Sequence, residues 1–64
     1  MAEVLIIDDD RAMCGMLSDL VHQMGHAAVC RYTLETGLAE ALSNPYDLVL
    51  LDVHLPDGIG LDII

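Results

Sequence analysis

Carboxylates gather at two places in this sequence. Asp8, Asp9 and Asp10 stand consecutively, and Asp52 closes an apolar run about 43 residues further on. A carboxylate can act as a nucleophile and form an aspartyl phosphate. Several carboxylates brought to one point repel one another and call for bound protons or a cation. Mg²⁺ suits such a set, because it takes hard oxygen ligands, uses one or two carboxylates, and keeps waters that a phosphate can displace. Such an ion also neutralises charge on a transferring phosphoryl group. Cation-assisted phosphoryl transfer is therefore open to this chain, provided its fold brings the two acidic places together.

The elements between them can do so. Residues 4–7, Val-Leu-Ile-Ile, form an apolar, β-branched-rich run without alternation, which suits a strand buried on both faces of a parallel sheet. Met13, Met16, Leu17, Leu20, Val21 and Met24 then recur at helical spacing. Asp10 is placed to cap that helix, and Gly25 to end it in a left-handed turn. Residues 27–32 read as a second strand. Thr33 can cap a helix over Leu34–Ser43, with Leu34, Leu38, Ala41 and Leu42 on one face, before Asn44-Pro45 stops it. Leu48–Leu51 reads as a third, continuously apolar strand ending at Asp52. Pro56, Gly58 and Gly60 mark a loop, and residues 61–64 look like the first turn of a third helix.

The order β-α-β-α-β predicts an open parallel sheet with right-handed crossovers. Ligands of such sheets bind beyond the carboxyl ends of the strands, where the strand order reverses. With an order 2-1-3 the first and third strands become neighbours, and Asp8, Asp9 and Asp52 converge on one crevice.

Composition narrows the partners. The chain has 64 residues, room for one domain at most, and 55% of them are hydrophobic. A chain of this size buries only about 60% of its unfolded surface, so that apolar share predicts faces that something else covers. No apolar run approaches the roughly 20 residues of a membrane span, and Met-Ala-Glu-Val lacks the basic start of a secretory signal. A cytoplasmic location is expected. Eleven acids against Arg11 and Arg31, with no lysine, give a net charge of −9. Such a surface repels nucleic-acid backbones and favours cations and basic partners. Cys14 and Cys30 lack metal-site spacing and read as reduced, buried thiols.

The strings VLIIDDD and, from Tyr46, YDLVLLDVHLPDGIGLDII resemble the receiver domain of bacterial two-component response regulators. The resemblance covers essentially the whole chain, and its texture is similar to receivers of the nitrogen-regulatory, sigma-54 activator type. It implies a flavodoxin-like (CheY-like) α/β fold, a doubly wound parallel sheet of order 2-1-3. It also implies that residues 1–64 form the N-terminal half of the domain. Asp52 would accept a phosphoryl group from a sensor histidine kinase. Mg²⁺ would be held by Asp9 directly, by Asp8 through water, by Asp52, and by the backbone carbonyl of His54. Pro56 and Gly60 would shape the loop that walls the pocket.

A full receiver of this family adds further strands and helices, carrying a Ser/Thr and a Lys that respond to the phosphoryl group, and the resemblance implies a transcriptional output domain in the parent protein. A lone half is expected to be impaired in signalling, and in any self-phosphorylation or autodephosphorylation. It is also expected to associate as a dimer or swapped oligomer through the exposed edge of its third strand. The module is read as a phosphoacceptor rather than an enzyme.

Simpler readings compete. Asp10 reads as a helix cap rather than a ligand, and Asp57 as a turn stabiliser. His54 has no partner histidines at useful spacing for side-chain ligation. The methionines read as core filler. Asp47, Asp62, Glu35 and Glu40 read as surface charges, and His22 and His26 as exposed. Two other functions remain: a non-catalytic pseudo-receiver that only binds partners, and a haloacid-dehalogenase-type phosphohydrolase with Asp8 as nucleophile. The latter family wants Thr or Val where Ala12 stands. Dinucleotide binding is disfavoured, because no Gly-x-Gly-x-x-Gly follows the first strand.

Overall fold

The computed structural model describes residues 1–52. Three parallel strands and two helices alternate: β1 (Glu3–Ile7), α1 (Arg11–Gln23), β2 (Ala27–Arg31), α2 (Leu34–Ser43) and β3 (Leu48–Leu51). The sheet order is β2-β1-β3, the 2-1-3 arrangement expected from the sequence. Val4 pairs with Ala28 on one side and Leu48 on the other, and Ile7 with Arg31 and Leu51. The predicted third helix, residues 61–64, lies outside the described residues.

β1 is the centre of the molecule. Successive side chains on a strand point to opposite faces, and here both faces are covered. Val4 and Ile6 pack against Cys14, with Leu17 and Val21 of α1 beside them. Leu5 and Ile7 pack against Leu34, with Ala41 and Tyr46 beside them. The two helices thus lie on opposite sides of the sheet, and β1 needs no polar face.

Both helices use narrower contact faces than their sequences suggest. In α1 the inward positions are Cys14, Leu17 and Val21, spaced i, i+3, i+7. Met13, Met16, Leu20 and Met24 are exposed, so the methionines are not core filler. In α2 the inward residues are Leu34, Gly37 and Ala41, whereas Leu38 and Leu42 are exposed. The cause is visible at Gly37, where an added Cβ would stand 2.6 Å from Ile7 Cγ1. The helix seats against β1 at the residue without a side chain, which rotates its two leucines outward. β3 also departs from expectation: Leu48, Val49 and Leu51 are exposed, and neither described helix packs over it.

The helix ends follow local chemistry. Asp10 caps α1 by accepting from Met13 N at 3.1 Å, and Thr33 caps α2 by accepting from Thr36 N at 3.1 Å. After α1 the chain turns at Gly25 with φ 84°, a conformation glycine adopts without steric penalty.

Candidate functional site

The carboxyl ends of β1 and β3 carry the acidic residues side by side. The backbone fixes them before any side chain is considered. Asp8 N donates to Arg31 O at 3.0 Å, and Asp52 N donates to Ile7 O at 2.9 Å. Each of these aspartates therefore continues the sheet ladder one residue past its strand. Asp8 then turns the chain: its Oδ1 accepts from Asp10 N at 2.9 Å, an Asx-type turn that leads into α1. From below, the buried Cys14 thiol donates to Asp8 O at 3.4 Å.

Asp8, Asp9 and Asp52 each offer a carboxylate oxygen, and these oxygens lie within 4.8 Å of one another. Asp8 and Asp52 are half-buried and Asp9 is exposed. They open onto a crevice of about 580 Å³, with Asp10 at its rim and Met13, Leu17 and Leu50 as an apolar wall. Each arginine is engaged outside this cluster. The Arg11 guanidinium lies 4.0 Å from the Tyr32 ring centroid, a cation–π contact, and Arg31 Nη2 pairs with Glu40 at 2.7 Å.

The donor set is compatible with a divalent cation. It is all oxygen and open to water on one side. Hard divalent cations take oxygen ligands of this kind and keep waters in their remaining positions. The structure brings Asp8, Asp9 and Asp52 together and turns Asp10 to the cap. His54, Pro56 and Gly60 lie outside the described residues.

Several features were not apparent from the sequence. The Cys14 thiol under Asp8 had no signal, since a cysteine in an apolar helix gives no direction. Burial, then the neighbouring Cys30, pushes this thiol up to about 11. Glu40, read as a surface charge, is half-buried and accepts from Arg31 Nη2, Asn44 Nδ2 and Tyr46 Oη at 2.7, 2.8 and 2.6 Å. Those bonds, the Tyr46 hydroxyl foremost, hold its carboxyl below the usual range and push Tyr46 up. His26 is half-buried and accepts from Ala2 N through Nδ1 at 2.9 Å.

Fold and site define an α/β module with an acidic crevice at the point where strand order reverses. Residues 4–64 match the response regulator receiver domain, and the chain belongs to that family. It is 38% identical over 64 residues to the KDP operon transcriptional regulatory protein KdpE of Escherichia coli (strain K12), covering 100% of this chain and 28% of that protein. It is likewise 38% identical to the response regulator ArlR of Staphylococcus haemolyticus (strain JCSC1435), covering 98% of this chain and 29% of that one. With the acid tolerance regulatory protein ActR of Rhizobium meliloti (strain 1021) the identity is 34% over 61 residues, 95% of this chain and 31% of the relative. The chain thus spans about three tenths of the length of these relatives. Their names do not bear on the nitrogen-regulatory likeness. The family is a signalling module rather than an enzyme, and receivers as a class work with histidine kinases and output domains. Among the described residues, no helix is long and apolar enough to cross a membrane.

Proposed function

We propose that this chain is a phosphoacceptor module in which Asp52 takes a phosphoryl group from the phosphohistidine of a sensor kinase. The observation that carries the reading is the convergence of Asp8, Asp9 and Asp52, with carboxylate oxygens within 4.8 Å, at the carboxyl end of the sheet. Asp52 is the nucleophile: it stands at the end of β3, anchored through its own amide to Ile7 O. Asp8 and Asp9 hold the cation, Asp8 from a turn fixed by its bond to Asp10 N, with the His54 carbonyl as a further ligand. Mg²⁺ bound there supplies positive charge to the transferring phosphoryl oxygens. The apolar wall of Met13, Leu17 and Leu50 limits water on one side of the crevice.

In this reading residues 1–64 are the N-terminal half of a receiver, placed in the cytoplasm, whose parent protein carries a transcriptional output domain. Copies of the chain pair or swap through the β3 edge, whose Leu48, Val49 and Leu51 are exposed. A sedimentation profile that stays monomeric at high micromolar concentration refutes that pairing.

Phosphorylation is tested with radiolabelled acetyl phosphate and Mg²⁺. The wild-type chain is expected to take up label slowly, as a half without the responding Lys and Ser/Thr, with the alkaline lability of an acyl phosphate, and Asp52→Asn is expected to take up none. Label retained by Asp52→Asn but lost in Asp8→Asn would instead favour the phosphohydrolase-type nucleophile at Asp8. A folded wild-type chain that takes no label, with or without Mg²⁺, would favour a purely binding role.

A further inference from the structure

The acidic crevice stands directly on a thiol. Cys14 of α1 is 1% exposed, belongs to the cluster with Val4 and Ile6, and donates its S–H to Asp8 O at 3.4 Å. Cys30 of β2 packs against the same cluster, and its Sγ approaches Cys14 O at 3.5 Å. Both cysteines are free. Two thiols from different elements thus meet in one core cluster, and one of them supports the backbone of an acidic-site residue.

We propose that Cys14 and Cys30 form a reversible disulfide under peroxide, and that closing it withdraws the hydrogen bond from the Asp8 carbonyl. Cys30 is half-buried and Cys14 almost fully buried, so Cys30 meets the oxidant first. Peroxide transfers one oxygen to the Cys30 sulfur, giving a sulfenic acid and one water. The Cys14 sulfur then attacks the Cys30 sulfur. The S–S bond forms, the S–O bond breaks, and the hydroxyl leaves with the Cys14 proton as a second water. Two thiols lose two hydrogens, and one peroxide becomes two waters. A small thiol reverses the step by exchange. Disulfides in reducing compartments are mostly of this transient, sensing kind.

The link to the acidic crevice is the donor itself. Once bonded to Cys30, the Cys14 sulfur carries no proton to give. Asp8 O then loses this donor at the residue where the sheet ladder ends and the turn to Asp10 begins. Oxidation therefore reaches the Asp8 end of the crevice. Any effect on cation binding rests on the proposed function, whereas the bridge and the lost hydrogen bond do not.

The test treats the full 64-residue chain, isotope-labelled and free of Mg²⁺, with one equivalent of hydrogen peroxide. One portion is unfolded in guanidinium with N-ethylmaleimide and weighed intact. The other is kept folded to read the Asp8 carbonyl carbon. The expected result is a single chain lighter by two hydrogens, with no maleimide adduct, restored by dithiothreitol, and a displaced Asp8 carbonyl signal. Two adducts after oxidation, a bridge joining two chains, or an Asp8 signal indifferent to the bridge would each overturn the proposal. In Cys30→Ser the same dose is expected to leave Cys14 reactive toward maleimide. Loss of the Cys14 thiol in that variant also overturns it, because Cys30 would then not be the entry point.

Discussion

Replacing Gly37 with alanine should destabilise this protein although alanine is the better helix former, and replacing Gly15 should do the opposite. At both positions the substitution gains about 0.8–1 kcal/mol of helix propensity. At Gly15 nothing lies within 4 Å of the added Cβ, so that gain stands alone. At Gly37 the Cβ would stand 2.6 Å from Ile7 Cγ1 and 2.8 Å from Cγ2. Ile7 is 1% exposed, and its β-branched side chain has few rotamers to move into. Overpacking of this kind costs about 1–3 kcal/mol. Propensity cancels between the two variants, so the difference in their stabilities is the steric cost by itself. For a domain of this size each kcal/mol moves Tm by roughly 4–8 °C. Thermal unfolding followed by circular dichroism should therefore find Gly15→Ala melting higher than the wild type and Gly37→Ala well below Gly15→Ala. The strain should also reach the crevice, because Ile7 O accepts from Asp52 N and Ile7 is bonded to Asp8. Amide signals of Asp8 and Asp52 should shift in Gly37→Ala. Equal stabilisation by the two substitutions would refute the view that α2 seats on β1 through Gly37.

Asp10→Ala should cost about 1 kcal/mol, since Asp10 is the α1 cap and no acid follows in the first turn; a lower urea midpoint with an unchanged slope checks it. The Glu40–Tyr46 bond should make stability fall at both ends of the pH range. Glu40 is lowered from its ordinary 4.5, so its contribution is complete above that pH and lost as pH falls through the lower folded value. Tyr46 is raised from 10.0, so its contribution is complete below that pH and lost as pH rises through the higher folded value. Tyr46→Phe should flatten both limbs in a pH series of melting curves. Mg²⁺ at ten times its dissociation constant should stabilise the wild type by about 1.4 kcal/mol, read as a rise in Tm. The rise should shrink in Asp9→Asn, and an equal rise in that variant would remove Asp9 from the ligand set.

The sequence made the strand order and the convergence of Asp8, Asp9 and Asp52 legible because both depend on patterns that survive averaging over side-chain detail. A continuous apolar run such as residues 4–7 fits a strand covered on both faces, and alternation with helical segments fits a parallel sheet. Once β1 and β3 are neighbours, residues that follow their carboxyl ends must meet. The contact faces of the helices were not legible in the same way. Leucine and methionine periodicity marks an apolar arc, but the helices seat within it on residues smaller than leucine or methionine, Cys14 in α1 and Gly37 in α2. Glu40 reads as a surface charge for a related reason: charge suggests solvent, and only the fold places Arg31 and Tyr46 within its reach.

The position of β1 explains why so short a sequence fixes a polar site at all. β1 is paired on both edges and covered on both faces, so the backbone leaving Ile7 has little freedom. The Asp8 amide is held by β2 and the Asp52 amide by β1, and the separation of the two carboxylates is then set by strand spacing rather than by loop conformation. Strand spacing in a sheet is close to constant, about 4.7–4.9 Å, so neighbouring strands bring these side chains near enough for carboxylate oxygens of Asp8, Asp9 and Asp52 to lie within 4.8 Å of one another. The repulsion among the acids is thus opposed by the pairing of β1 with its neighbours, and a cation that relieves it should tighten the ends of β1 and β3 together. Amide exchange at Asp8 and Asp52 should slow on adding Mg²⁺, while exchange at Ala27, at the opposite end of the sheet, stays unchanged; slowing at both ends alike would mean that Mg²⁺ acts on the whole fold and not through this crevice.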